Sequence, residues 1–215
     1  RYAQESRGLG DVYKRQDLET NIEELGKKLS SRFIDFCKDY GKKLDLYFEP
    51  GKFIISEAGF FLTKVNSIKQ TTSTVFAQIN SGFNHLLRPM FYGSYHEILN
   101  LSNPKGNERF YSVVGYICET DTFASNRKIP EIKENDILAF KNAGAYCYSM
   151  SNNYNSRYRP AEILWYNNKA RRARHSCHSK RINARLSFKL ASNTIPSFFA
   201  THVLVISSFT TSNNN

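Results

Sequence analysis

The chain has 215 residues, 40% of them hydrophobic, enough to bury a real core in one or two domains. Its formal charge of +11 is concentrated: residues 167–215 hold eight basic residues and no acidic one, which leaves 22 basic against 19 acidic residues in the body. Cys37, Cys118, Cys147 and Cys177 form no CxxC pair, and no apolar run is long enough for a bilayer, so a disulfide-stapled or membrane-spanning protein is excluded and a cytoplasmic one expected.

Residues 1–16 have neither helical nor strand periodicity and no apolar run that could act as a signal peptide. They are expected to be disordered or foreign to the rest. From Asp17 the pattern turns helical: Leu18, Ile22, Leu25, Leu29, Phe33 and Phe36 recur at three- and four-residue steps with Glu and Lys between them. Asp17 is the expected N-cap, Glu19, Glu23 and Glu24 suit the first turns, and Gly41 the stop. Residues 44–48 (LDLYF) read as a short strand ending at Glu49-Pro50-Gly51-Lys52. Helix, strand and a Gly-containing turn at the strand's C-terminal end is the layout of an α/β unit, whose ligands sit at that end.

Beyond Lys52 the β-rich runs 60–65, 74–79, 111–117, 137–140 and 163–166 are separated by turns, with no long helix between them. That spacing predicts an antiparallel sheet or barrel. After Tyr166 regular patterning stops, and residues 167–215 are basic and irregular. A nucleic-acid arm is basic like this, but aromatics are sparse among its arginines and no stacking platform is evident. A shifted reading frame is the expected source of this tail, and nucleic acid is not an expected partner.

Four polar islands interrupt the apolar pattern. They are Glu49-Pro50-Gly51-Lys52; NSGFNHLLRPMFY at 80–92; Cys118-Glu119-Thr120-Asp121; and NAGAYCYSMSNNYNSRYRP at 142–160. In the last, Gly144 and Ala145 let the backbone approach something closely, and Tyr146 offers a phenol. In this order and spacing the islands resemble the C-terminal half of the diaminopimelate decarboxylases, fold-type III pyridoxal-phosphate enzymes related to ornithine and arginine decarboxylases. The likeness covers residues 17–166.

The resemblance implies an α+β chain: the end of an alanine-racemase-like (β/α)8 barrel at 17–58, then a mainly antiparallel, Greek-key-like β-domain at 59–166. It implies pyridoxal 5'-phosphate as cofactor, decarboxylation of meso-diaminopimelate to L-lysine, and a homodimer with shared active sites. By the same likeness, Glu49, Pro50, Gly51 and Lys52 match the family's Glu-Pro-Gly-Arg turn at the cofactor phosphate. Lys52 replaces an Arg that helps hold the substrate's distal carboxylate, keeping the charge without the two-pronged fork. Arg88 and Tyr92 match the Arg-Pro-x-x-Tyr pair that binds the same carboxylate. Tyr146 matches a tyrosine that contacts the phosphate and lies near the substrate. Cys118 and Glu119 match a pair that reaches into the partner's site, Glu119 for the distal ammonium and Cys118 near the carbon being protonated. Residues 152–157 follow a pattern expected only to shape their loop, and His85 and His96 are expected to be structural. No metal site is expected. The lysine that binds the cofactor covalently belongs to the family's N-terminal half and has no match here, so the chain is expected to be a partial and inactive copy. The alternatives within the fold are decarboxylases of ornithine, arginine or carboxynorspermidine, or an inert regulatory homologue.

Overall fold

The computed structural model describes residues 21–166, 169–174 and 201–206, with only the backbone described for 201–206 and for Arg172 and Arg174. The chain divides into two compact units, Arg1–Pro50 and Gly51–Asn215.

In the first unit, helix α1 spans Ile22–Tyr40. Asn21 caps it, its Oδ1 accepting from the Glu24 N–H at 3.0 Å, while the expected cap Asp17 lies outside the described residues. Glu23 and Glu24 sit in the first turn, and Gly41 ends the helix at φ 72 with its N–H donating to the Lys38 carbonyl. No residue of α1 is buried, although Phe33, Phe36 and Tyr40 stack along it at 6.4 and 5.7 Å.

The strand expected at 44–48 does not form. That segment is irregular, and Tyr47 is 85% exposed. A strand needs a neighbour to take its N–H and C=O groups, and a single extended segment has none. No strand precedes Gly51 among the described residues, so α1 is the one regular element described in the first unit.

The second unit opens with the short helix α2 (Gly51–Ile55) and a 3₁₀ turn, Ser56–Ala58. Nine strands follow among the described residues: β1 (Gly59–Gln70), β2 (Val75–Ile79), β3 (Ile98–Asn100), β4 (Glu108–Val114), β5 (Thr122–Pro130), β6 (Ile137–Phe140), β7 (Ala161–Tyr166), β8 (Lys169–Arg174) and β9 (Thr201–Ile206). Helix α3 (Arg88–Tyr92) lies between β2 and β3. The order is β5-β4-β2-β1-β9-β7-β8, with β6 pairing both β1 and β3. The sheet is mixed and nearly closed rather than uniformly antiparallel, because β2 runs parallel to β4 and β1 parallel to β9. Strand β1 organises it, pairing β6 over Phe61–Lys64 and β2 over Val65–Gln70, with a bulge between Val65 and Ser67. Regular structure continues past Tyr166, where the tail supplies β8 and β9.

The core gathers alternate residues of these strands. Phe61, Phe123 and Phe140 pack with ring centroids 5.5–6.4 Å apart, flanked by Val65, Ile79, Leu86, Val113 and Leu138. Two histidines are buried beside it. His85 accepts from Ser81 at Nδ1 (2.9 Å) and donates from Nε2 to the Tyr158 carbonyl (2.8 Å). His96 donates from Nδ1 to the Lys141 carbonyl at 2.8 Å. Burial pushes both down to about 4 from 6.5, so both are neutral in the fold. With the folded value below the unfolded one, their contribution is complete above about pH 6.5 and is lost as pH falls towards 4. Each costs roughly 3 kcal/mol by pH 4, at about 1.36 kcal/mol per pH unit. Buried Asp121, pushed up to about 6, acts in the opposite sense with a smaller effect. Urea midpoints are therefore expected to drop between pH 7 and pH 4.5, and a flat profile would contradict the buried neutral imidazoles.

Candidate active site

Two groups of predicted residues take shape on this sheet. The first is built by α3 and the loop after β6. Pro89 pre-sets the start of α3, and Gly93, at φ 61, stops it. Arg88 and Tyr92 are thus four residues apart on one helical face, with the guanidinium 5.1 Å from the centre of the Tyr92 ring. The same guanidinium lies 5.5 Å from the ring of Tyr146. Tyr146 stands in the left-handed region at φ 57, an uncommon conformation for a bulky residue. It is held there because the chain just before it is pinned: Gly144 N–H donates to the Ser56 carbonyl at 2.9 Å and Ala143 N–H to the Gly59 carbonyl at 2.8 Å. The close approach expected at Gly144 is thus an approach to the backbone of residues 55–59.

The Tyr146 hydroxyl lies 3.8 Å from where a Cβ on Gly51 would stand, so the start of α2 and the phenol face each other. Lys52, Arg88 and Arg127 all place positive charge near His96, and after burial these charges are what keep its imidazole neutral. Two buried polar atoms here have no hydrogen-bond partner among the described residues: Arg88 Nε, a donor, and His96 Nε2, an acceptor in the tautomer that Lys141 selects. The Arg88 Nε donor, the Tyr146 phenol and the positive charge of Lys52 and Arg88 suit an anionic ligand, whereas the lone pair of His96 Nε2 can take only a donor. Glu49 and Pro50 lie in the exposed irregular stretch of the first unit.

The second group is Cys118, Glu119 and Tyr154. Residues 115–121 form a turn rather than the expected continuation of β4 to Ile117, and Asp121 ties it. Its Oδ1 accepts from Phe83 N–H at 2.7 Å, its Oδ2 from Ile117 N–H at 2.9 Å, and its carbonyl from Gly115 N–H at 2.8 Å. A side chain at Gly115 would overlap that carboxylate, so glycine is required by space. The turn presents Cys118 and Glu119 outward. Glu119 Oε1 accepts from the Tyr154 hydroxyl at 2.6 Å, and Oε2 from Cys118 Sγ at 3.3 Å. The Tyr154 hydroxyl holds Glu119 below the usual carboxylate range, and the same bond pushes the phenol up.

Arg88, Tyr92, Tyr146 and Gly51 are thus brought together, with Lys52 acting on the same histidine. Cys118 and Glu119 bond to one another and to Tyr154. Two features escaped the sequence reading. Tyr154 was expected only to shape its loop, and its partner is 35 residues away. Asp121 closes the Cys118-Glu119-Thr120-Asp121 island, which was the available signal for a turn anchored by its own last residue.

Residues 47–144 match the family described as pyridoxal-dependent decarboxylase, C-terminal sheet domain. Residues 47–144 thus belong with the C-terminal sheet domain of the pyridoxal-dependent decarboxylases. The chain is 45% identical over 161 residues to the diaminopimelate decarboxylase of Methanothermobacter thermautotrophicus, a match covering 73% of this chain and 37% of that one. The Vibrio cholerae diaminopimelate decarboxylase is 38% identical over 162 residues, covering 75% and 37%. Among solved structures, a diaminopimelate decarboxylase superposes with a TM-score of 0.63 at 32% identity, over 83% of this chain and 45% of that one. The M. jannaschii diaminopimelate decarboxylase in co-complex with L-lysine gives 0.59 at 31% identity, over 76% and 36%. The chain spans a little over a third of the length of these two curated decarboxylases. No described helix is long and apolar enough to cross a membrane.

Proposed function

We propose that this chain is the carboxyl-terminal part of a diaminopimelate decarboxylase that converts meso-diaminopimelate to L-lysine and CO₂ with pyridoxal 5'-phosphate. The observation that carries the reading is the clustering of Tyr92 and Tyr146 about Arg88, whose buried Nε donor has no partner among the described residues, in a chain similar to diaminopimelate decarboxylases along most of its length. The Gly51 backbone and the Tyr146 hydroxyl would hold the cofactor's phosphate, where facing donors suit an anion. When bound, the pyridoxal ring supplies the electron sink for the pair left as CO₂ departs.

This chain's own residues would bind and orient the substrate. Arg88 grips the distal carboxylate of the substrate with two parallel N–H donors, Tyr92 adds a hydroxyl, and Lys52 adds charge. Glu119, its carboxylate kept ionised by Tyr154, pairs with the distal ammonium. Cys118, adjacent to it, delivers a proton at its Sγ. Glu119 and Cys118 serve the active site of a second copy, so a homodimer is the working unit. A plain diamino acid such as ornithine would leave Arg88 and Tyr92 without a carboxylate, an unpaired state that polar sites reject strongly. The test is to assay the complete protein carrying this chain with diaminopimelate and with ornithine. Lysine formation from the first is expected, and turnover of ornithine alone would overturn the assignment.

A further inference from the structure

We propose that Tyr154 is the positioning residue for the Glu119 carboxylate, and that its hydroxyl sets how tightly the site grips a cationic group at the far end of the substrate. This role presupposes the placement of Glu119 at the distal amine proposed above. On an exposed turn a glutamate samples several rotamers and must give up that freedom to grip an ammonium. Here both of its oxygens are already engaged, by Tyr154 at 2.6 Å and by Cys118 at 3.3 Å. Each oxygen keeps lone-pair capacity for a further donor.

The phenol is itself held. Its ring packs 5.2 Å from that of Phe83, and its backbone N–H donates to Asn152 Oδ1 at 3.0 Å. Phe83 in turn donates its N–H to Asp121, the buried carboxylate that ties the turn carrying Glu119. Donor and acceptor are therefore fixed through one anchor, with the carboxylate oriented before any ligand arrives. Donation from a hydroxyl also favours the charged form of the acid.

The test uses Y154F, E119Q and the double variant in the complete, pyridoxal-loaded decarboxylase, with diaminopimelate as substrate. Y154F keeps the ring on Phe83 and deletes only the hydroxyl. It is expected to raise KM roughly tenfold with kcat within about twofold, the pattern of lost uniform binding through a charge-assisted hydrogen bond. In the E119Q background it should add nothing. A second readout needs no turnover: the ¹³C carboxyl resonance of Glu119 should titrate at higher pH in Y154F. If E119Q is costly while Y154F leaves both KM and the titration unchanged, Tyr154 is not the positioning residue. A Y154F effect that persists in full in the double variant also overturns the role. An E119Q enzyme with unaltered kinetics would instead bring down the functional reading and this role together.

Discussion

Replacing Arg88 by Ala is expected to lower kcat/KM for diaminopimelate by about 10²- to 10³-fold, within the ~2–5 kcal/mol that truncating one side of a desolvated charge pair costs. Two features make the loss large. The guanidinium lies 5.1 and 5.5 Å from the centres of the Tyr92 and Tyr146 rings, so the site loses its fork-shaped donor and its contact with both phenols together. Its Nε is also buried with no partner among the described residues, so it has a hydrogen bond in reserve for a ligand. Arg88→Lys restores the charge but not the fork and should recover only part of the loss. Kinetics of lysine formation by the complete enzyme decide the matter, and an Arg88→Ala variant within about threefold of the parent would refute the assignment.

The second large effect is expected at Gly144. A Cβ there would overlap the Ile55 carbonyl oxygen and crowd the backbone of Ser56 and Gly59, and the reciprocal side chain at Gly59 would overlap Gly144. Backbone cannot rotate aside as a side-chain tip can, so Gly144→Ala must break the hydrogen bond to Ser56 or shift the loop. The expected cost is about 3 kcal/mol, at the upper end of overpacking losses, read from urea unfolding. Since Tyr146 is two residues on and held at φ 57, the variant should also weaken phosphate binding, measurable by titrating pyridoxal 5'-phosphate. Unchanged stability would show that the two glycines are not under this constraint.

Much of the sheet was legible because its strands contain short apolar runs bounded by turns. β1, β2, β4, β6 and β7 all fall on runs that the sequence marks, with boundaries displaced by a few residues. β5 was not, since TFASNRKIP reads as polar; it lies at the end of the strand order and keeps several residues exposed. β8 escaped for a related reason. KARRAR resembles a solvated tail, yet it pairs with β7 and ends the strand order among the described residues. The segment 44–48 failed in the opposite direction: its composition suits a strand, but strandness is a property of a pair. In the site, Arg88, Tyr92 and Tyr146 are marked by motif, and the Arg88 guanidinium lies 5.1 and 5.5 Å from the centres of the two rings. The bond from Tyr154 to Glu119 was not legible, because a hydrogen bond across 35 residues leaves no periodicity to read.

The parallel pairing of β1 with β9 joins Gly59 to Val203 across most of the chain. During synthesis, then, one border of the central strand must wait for residues 201–206 to leave the ribosome. Contacts so remote in sequence make for slow maturation, because a long loop must close before they form. In the meantime the unfinished border is open to other nascent chains, so the yield of native protein should fall with expression rate more steeply than for a domain completed by its neighbours in sequence.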